Sequence, residues 1–202
     1  MEKGSLYLVP TPLSEDSHAS ISPEIVNAVT NTTFFIVEDP KKARAFIKKV
    51  DAEIVLQNLS LSTLNEHSKK KDIQELLVPV LEGNSICLLS DAGCPGIADP
   101  GAEVVAIAHK NNIKVIPLIG ASSIFLSLMS SGLNGQRFAF EGYLPAKNEL
   151  RKKRLKEIEK EPFDRKETKI FIETPYRNDS LFEDILAVCQ KDTLITIATS
   201  LT

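Results

Sequence analysis

Short, mainly apolar runs of three to five residues alternate along the chain with longer stretches whose apolar positions recur every three or four residues. The short runs predict strands at residues 6–9, 33–37, 54–56, 85–89, 114–117, 137–140, 169–172 and 194–198. The longer stretches predict helices at 23–30, 41–50, 72–81, 102–110, 122–131, 150–160 and 179–189. Alternation of this kind implies mainly parallel sheets covered by helices. Ile86-Cys87-Leu88-Leu89 is apolar throughout, as a strand covered on both faces is. Asp39-Pro40 and Asp99-Pro100 each set a capping carboxylate before a proline suited to the first helical position. Gly132, after Ser131, is placed for a left-handed helix stop. The pattern begins afresh after Pro117, which predicts an N-terminal α/β domain over 1–117 and a C-terminal α/β domain over 118–202.

Composition narrows the class. Of 202 residues, 43% are hydrophobic and 25% charged, as in ordinary globular proteins. Neither an apolar run of about 18 residues nor a charged-then-apolar leader at Met1 is evident, so a cytoplasmic protein without a membrane span is expected. Cys87, Cys94 and Cys189 are odd in number and far apart, which suits a reducing compartment. His18, His67 and His109 are scattered without metal-ligand spacing, so no metal is expected. A net charge of −3 argues against a uniformly basic nucleic-acid binder and leaves room for a local basic face.

Candidate chemistry gathers in the loops after the strands. Residues 90–101 read Ser-Asp-Ala-Gly-Cys-Pro-Gly-Ile-Ala-Asp-Pro-Gly, with three glycines and two prolines in nine positions. Open α/β sheets bind ligands at the carboxyl ends of their strands, and glycines let a ligand approach the main chain. Neither G-x-x-x-x-G-K-[ST] nor G-x-G-x-x-G is present, which argues against a nucleoside triphosphate or a dinucleotide. The loop suits a ligand held by main-chain groups, with Asp91 accepting from an ammonium or hydroxyl; a plain turn with Asp99 as a cap is the simpler alternative. Leu118-Ile119-Gly120-Ala121-Ser122-Ser123 opens an apolar helix, where amide donors await a polar ligand or Ser122 is merely a cap. Glu38, Glu141 and Glu173 end strands and are candidate bases or caps. A basic run, Arg151-Lys152-Lys153-Arg154, suits phosphate contact, or forms a solvated face with Glu149, Glu157, Glu159 and Glu161.

Taken in order, these segments resemble the tetrapyrrole-methylase superfamily of S-adenosylmethionine-dependent enzymes, and within it the ribosomal RNA small subunit methyltransferase I branch. The resemblance rests on Leu-Tyr-Leu-Val-Pro-Thr-Pro at 6–12, Glu38-Asp39, and Ser-Asp-Ala-Gly-x-Pro-x-Ile-x-Asp-Pro-Gly at 90–101. It continues through Ile-Pro-Leu-x-Gly at 116–120, Ser-Gly-Leu at 131–133, Arg-Phe-x-x-Glu-Gly-Tyr-Leu-Pro-x-Lys at 137–147 and Ile-Phe-Ile-Glu-Thr-Pro-Tyr-Arg at 170–177.

That resemblance implies two α/β domains of the tetrapyrrole-methylase type, a mainly parallel N-terminal sheet and a mixed C-terminal one, with the cofactor in the cleft between them. It implies S-adenosylmethionine bound by Pro10, Asp91, Ala92, Gly93, Pro95, Ile97, Asp99, Gly120, Ala121, Ser122 and Leu144. It implies a cytoplasmic homodimer that methylates the 2′-hydroxyl of a cytidine in small-subunit ribosomal RNA. Lys147, Arg151, Lys152 and Arg154 are then the RNA contacts, and Glu38, Glu141 or Glu173 the base. It also implies further strands after Thr202, so that the second domain is cut short.

Three motifs depart from the family pattern: Leu13-Ser14-Glu15-Asp16 replaces Ile-Gly-Asn-Leu, Glu38-Asp39-Pro40-Lys41 replaces Glu-Asp-Thr-Arg, and Gly120-Ala121-Ser122-Ser123 replaces Gly-Pro-Ser-Ala. A methylase of a tetrapyrrole or other small molecule, and a non-catalytic S-adenosylmethionine-binding homologue, are the competing readings.

Overall fold

Leu6, Phe35, Ile36, Cys87 and Leu88 are almost wholly buried, and they lie on the strands that build the larger of two sheets. The computed structural model describes residues 2–14, 20–64, 68, 70–165 and 167–201, in two units that divide between Ser122 and Ser123. Elements of the first unit are β1 (Ser5–Val9), α1 (Pro23–Thr30), β2 (Phe34–Val37), α2 (Pro40–Val50), β3 (Ser60–Thr63), α3 (Lys70–Leu76), α4 (Val78–Leu81), β4 (Ile86–Leu89), α5 (Gly101–Lys110) and β5 (Lys114–Pro117). The second holds α6 (Ser123–Ser131), β6 (Phe138–Tyr143), α7 (Asn148–Arg165), β7 (Thr168–Ile172) and α8 (Asn178–Val188).

The five strands of the first unit are all parallel, in the order β3-β2-β4-β1-β5. Their side chains alternate between two cores, as the period of two along a strand requires. Leu6, Ile36, Ile86 and Leu88 pack with Ile73, Leu77, Val80, Val104 and Ile107 from α3, α4 and α5 and the turn between them. Val9, Phe35, Val37, Cys87 and Leu89 pack on the other face with Ile25, Ala28, Val29, Ala43, Phe46 and Ile47 from α1 and α2. Burial pushes the Cys87 thiol pKa up to about 12, so it is a packing group and not a nucleophile. The crossover layout puts β4 between β2 and β1, and β4 feeds α5 on one face while both neighbours feed helices on the other. The chain therefore parts at the carboxyl end of β4, which is where open α/β sheets place ligands.

Two sequence-based strands are not formed. Residues 54–56 lead into a 3-10 turn at Leu56–Asn58, and the strand that pairs with β2 is Ser60–Thr63. Ile54 and Leu56 pack against the α2 side of the core instead, whereas Ser-Leu-Ser-Thr is a mostly polar edge strand with Leu61 its one apolar residue. Residues 194–198 are irregular, with Leu194 and Ile197 largely exposed. Apolar β-branched residues form a strand only where a neighbour supplies the ladder, and none of the described residues does so here. The helix expected over 72–81 divides into α3 and α4 because Pro79 has no amide to give and crowds the preceding turn.

In the second unit β6 and β7 are parallel, with a bulge between Phe140 and Tyr143 where Gly142 takes φ +66°. A mixed sheet is not what the described residues form: their only strand pair there is this parallel one. Leu155 and Ile158 of α7 pack on Leu181 and Ile185 of α8 and on Leu144. Inside this core lies an ion pair: Arg151 and Asp184, both 3% exposed, meet at 2.6 Å. Asn148 Nδ2 donates to the other Asp184 oxygen at 2.8 Å, and Arg151 Nη2 also reaches Ser180.

No helix among the described residues is long and apolar enough to cross a membrane, and no group of three or more His, Cys, Asp or Glu among them is placed to hold a metal. Of the histidines, His18 and His67 lie outside the described residues.

Removing one partner of a buried pair strands the other charge in the core. Asp184→Ala is expected to cost about 3–5 kcal/mol of stability, read as a drop in the urea midpoint, because it leaves Arg151 uncompensated between α7 and α8.

Candidate functional site

The loop after β4 is tied to the loop after β1 by a reciprocal pair of main-chain hydrogen bonds. Thr11 N–H donates to Gly93 C=O at 2.9 Å, and Gly93 N–H donates to Thr11 C=O at 3.0 Å. Thr11 Oγ1 also donates to Ser90 C=O at 3.1 Å, and Ser90 Oγ donates to Gly93 C=O at 2.6 Å. Thr11 and Ser90 are buried and serve only this tie. Gly93 takes φ +79° there, with Leu13 Cδ2 3.2 Å from where a Cβ would lie. The sequence suggests free main chain at Gly93; instead both of its polar groups are spent on Thr11, and the exposed residue is its neighbour Ala92.

The rest of the loop is closed by Asp99. Its Oδ1 accepts from Gly96 N–H at 2.7 Å and from Gly101 N–H at 2.8 Å. The helix begins at Gly101 rather than at Pro100, with Pro100 in the cap position, and Asp99 accepts from the N–H of Gly101 from one residue further upstream. A Cβ at Gly101 would lie 2.9 Å from Asp99 Oδ1 and 3.0 Å from Leu88 Cδ2, so this glycine is required for close packing. Pro95 is buried; Ile97 and Ala98 are exposed, and Ala98 holds a left-handed φ of +59°. Such a conformation costs a non-glycine residue about 1 kcal/mol and persists because the turn is fixed at both ends.

Beside this loop, the exits of β2 and β4 are cross-bonded. Asp91 N–H donates to Glu38 Oε1 at 3.3 Å, and Asp39 N–H donates to Asp91 Oδ1 at 3.2 Å. Lys42, one turn into α2, places Nζ 2.7 Å from Asp91 Oδ2, which raises the lysine pKa. Burial raises the Glu38 pKa, and the nearby Asp99 and Asp91 charges add to it; burial likewise raises that of Asp99. Glu38, Asp91 and Asp99 thus share the carboxyl end of the sheet with Asp39, whose side chain is turned to the α2 backbone, and with Lys42, ion-paired to Asp91. The exit of β5 comes in from the far side: a Cβ on Gly120 would fall 2.2 Å from the Pro10 Cβ, and Cys94 Sγ donates to Ala121 C=O at 3.4 Å. Ser122 stands immediately before α6. All the expected cofactor residues from Pro10 to Ser122 therefore belong to three loops, those after β1, β4 and β5, at one end of one sheet.

Glu141, Glu173 and Leu144 belong to the second unit. Glu141 is gripped by Arg154 Nη2 at 2.5 Å and Lys169 Nζ at 3.2 Å. Burial opposes its charge, yet these two cations outweigh burial and hold its pKa below the usual carboxylate value. Glu173 is buried, its Oε1 accepting from Thr174 N–H at 2.8 Å. Arg177 Nη2 lies 2.9 Å from Glu173 Oε2 but off hydrogen-bonding alignment, and donates to the carbonyls of Leu144 and Pro145 at 3.0 and 3.2 Å. Leu144 is buried in the α7–α8 core.

The expected RNA contacts need correction. Arg151 is enclosed with Asp184 and offers no surface to a phosphate. Lys152 leans on the same carboxylate at 3.5 Å, and Arg154 is shared among Glu141, Glu157 and Glu161. Of that set only Lys147 is exposed without an ion pair.

The chain is 34% identical over 200 residues to the ribosomal RNA small subunit methyltransferase I of Escherichia coli O157:H7, covering 99% of this chain and 66% of that protein. It is 34% identical to the protein of the same name from a Synechocystis species, covering 98% of this chain and 67% of that one. The chain belongs to the ribosomal RNA small subunit methyltransferase I family. It spans about two thirds of the length of these relatives. No protein-family model matches it. Among solved structures, the methyltransferase CobJ matches with a TM-score of 0.61 over 93% of this chain and 77% of that one, at 16% identity, so the two share a fold.

Within the family pattern, the altered Glu38–Lys41 stretch (38–41) has a clear local consequence. Pro40 supplies the first helical position of α2, and Asp39 Oδ1 accepts from the N–H groups of Lys41 and Lys42 at 2.7 and 3.3 Å. The replaced stretch at 13–16 is described only as far as Ser14; Glu15 and Asp16 lie outside the described residues.

The sequence gives no sign of the roles of Thr11 and Lys42, since a threonine between two prolines and a lysine on a basic helix are unremarkable until the strands are set in order.

Because the folded protein raises the Glu38 pKa, its charged form is disfavoured by folding; the resulting stability is present in acid and lost as pH rises through the raised value. Glu38→Gln is therefore expected to raise Tm at pH 7, with the gain vanishing as pH falls below the ordinary carboxylate range. Thermal melts of both proteins across pH 3.5–8 check the sign.

Proposed function

We propose that the protein is a methyltransferase that uses S-adenosylmethionine to methylate a ribose 2′-hydroxyl of a cytidine in small-subunit ribosomal RNA. The observation that carries this reading is the pinned 90–101 loop: it holds the family's longest motif at the parting of the sheet, beside three carboxylates. The relatives supply the substrate class by their names. Membership of a cytoplasmic homodimer, and a cofactor lying between two domains, rest on the family resemblance; a boundary at 117/118 rests on the pattern of elements, and the contacts divide the chain after Ser122.

The residues present fit the cofactor. Gly120 lets the loop after β5 close onto Pro10, where a Cβ would fall 2.2 Å from the Pro10 Cβ, and Ala92 is exposed in the loop after β4. A cationic ligand suits the Glu38, Asp91 and Asp99 carboxylates, which outnumber their single lysine partner. In this reading Asp91 accepts from an ammonium, while Pro10, Gly93, Pro95, Ile97, Asp99, Gly120, Ala121 and Ser122 shape the walls. When bound, S-adenosylmethionine supplies a methyl group on a sulfonium, already a good leaving group.

The chain's own task is alignment and proton removal. Holding the attacking hydroxyl in line at about 3 Å from its target supplies much of the rate. Glu38 is the best placed base of the three candidates: burial raises its proton affinity, and only Oε1 is bonded, to the Asp91 N–H. Glu141 is held as a charged anchor by Arg154 and Lys169, and Glu173 is committed to the Arg177 turn.

Titration calorimetry with S-adenosylmethionine tests the binding step. The unaltered protein is expected to bind, and Gly120→Val to lose at least about tenfold in affinity, since the new side chain collides with Pro10 or fills the ligand space. Circular dichroism of the variant establishes that it is folded. Loss of one cytidine 2′-O-methyl from small-subunit RNA in cells lacking the protein is the expected companion result; an unchanged methylation map contradicts the substrate.

A further inference from the structure

Arg151, Lys152 and Arg154 are held in ion pairs, so the basic run at 151–154 has little free charge to offer a phosphate. Helix α2 reads Pro-Lys-Lys-Ala-Arg-Ala-Phe-Ile-Lys-Lys-Val: five cations and no carboxylate. At 100° per residue, Lys41, Arg44 and Lys48 fall on one line along the helix, and Lys42 and Lys49 fall beside it. Ala43, Phe46 and Ile47 occupy the opposite side and are buried against the sheet. Lys41, Arg44 and Lys48 are exposed, and among the described residues no carboxylate lies within ion-pair distance of any of them. Arg44 and Lys48 donate only to main-chain carbonyls, those of Pro40 at 3.4 Å and Ala52 at 2.6 Å. The flanking acids are turned toward the backbone: Asp39 accepts from the N–H groups of Lys41 and Lys42, and Asp51 accepts from that of Glu53.

The position of this face matters as much as its charge. The helix starts directly after Glu38-Asp39, and its Lys42 is bonded to Asp91 at the candidate site. From there Lys41, Arg44 and Lys48 run outward for roughly 10 Å of helix. The helix dipole adds positive potential at the end nearest the site. Apart from Ala45 the exposed side carries no apolar residue, so nothing on it would insert into a lipid surface.

We propose that the exposed face of α2, through Lys41, Arg44 and Lys48, is the surface that grips the phosphate backbone of the RNA and leads its ribose to the end of β2. This rests on the ribosomal RNA reading above and replaces α7 as the contact. The helix supplies sequence-independent grip, since lysines and arginines on phosphates position a strand without reading its bases.

The test is fluorescence anisotropy with a labelled fragment of small-subunit ribosomal RNA over a series of KCl concentrations. Three proteins are compared with the unaltered one: K41Q/R44Q/K48Q, the charge-preserving K41R/R44K/K48R, and K153Q/K156Q/K160Q, which removes three exposed charges from α7. Glutamine keeps helix propensity close to that of lysine and arginine, and circular dichroism confirms each fold. The first variant is expected to bind about tenfold or more weakly, with the slope of log K against log salt reduced by about 2. The charge-preserving variant and the α7 variant are expected to stay within about twofold of the unaltered protein. Equal weakening by the α2 and α7 variants overturns the proposal, because net charge alone then accounts for the loss, and so does unchanged binding by the α2 variant. No RNA binding by the unaltered protein, with S-adenosylmethionine still bound, instead overturns the ribosomal RNA reading, and the α2 surface with it.

Discussion

Everything at the carboxyl end of the larger sheet depends on the two-way hydrogen bond between Thr11 and Gly93. A loop with three glycines has many conformations to lose, and one reciprocal backbone pair removes most of them at the point where β4 ends. The Thr11 and Ser90 hydroxyls double the tie, and both are buried, so water does not compete for them. Asp99 fixes the far end of the same loop through Gly96 and Gly101. Between these two anchors, Ala92, Ile97 and Ala98 are presented outward on a rigid frame. Preorganisation of this kind reduces the ordering cost of ligand binding.

Charge is distributed unevenly between the two units. In the second unit several cations are paired with carboxylates: Arg151 with Asp184, Arg154 with Glu141, Glu157 and Glu161, Lys169 with Glu141, Glu161 and Glu167. Most of these pairs are partly exposed and contribute little stability one by one, but together they fix α7 on the β6–β7 sheet. In the first unit the charges are segregated. Carboxylates gather at the strand ends and cations line α2, with the Lys42–Asp91 bridge where the two regions meet. Segregated charge costs some self-repulsion and supplies a field that acts on ligands of either sign.

The strands and helices of the first unit were largely legible in the sequence, because β2 and β4 are apolar on both faces and each helix shows one apolar stripe. Residues 54–56 misled because a three-residue apolar run carries no periodicity; the true edge strand, Ser60–Thr63, is polar at alternate positions and ranks low on hydrophobicity alone. Residues 194–198 misled for the opposite reason, being strand-like in composition without a neighbour to pair with among the described residues. The Gly-rich loop stood out as a site since its glycines and prolines break every regular pattern, but that Gly93 is tied to Thr11 depends on β1 lying beside β4, an order that sequence spacing does not contain. The same limit applied to the basic run at 151–154. Arg151 faces inward because its turn of α7 meets Asp184 on α8, and a count of charges sees only the cluster.

The most direct test of the account is an amide NMR titration with S-adenosylmethionine, combined with hydrogen exchange of the free protein. The account predicts slow exchange at Thr11 and Gly93 before ligand is added, and saturable shifts that centre on Ala92, Ile97, Ala98 and Ala121. Fast exchange at Gly93, or saturable shifts that leave the 90–101 loop untouched, contradicts it.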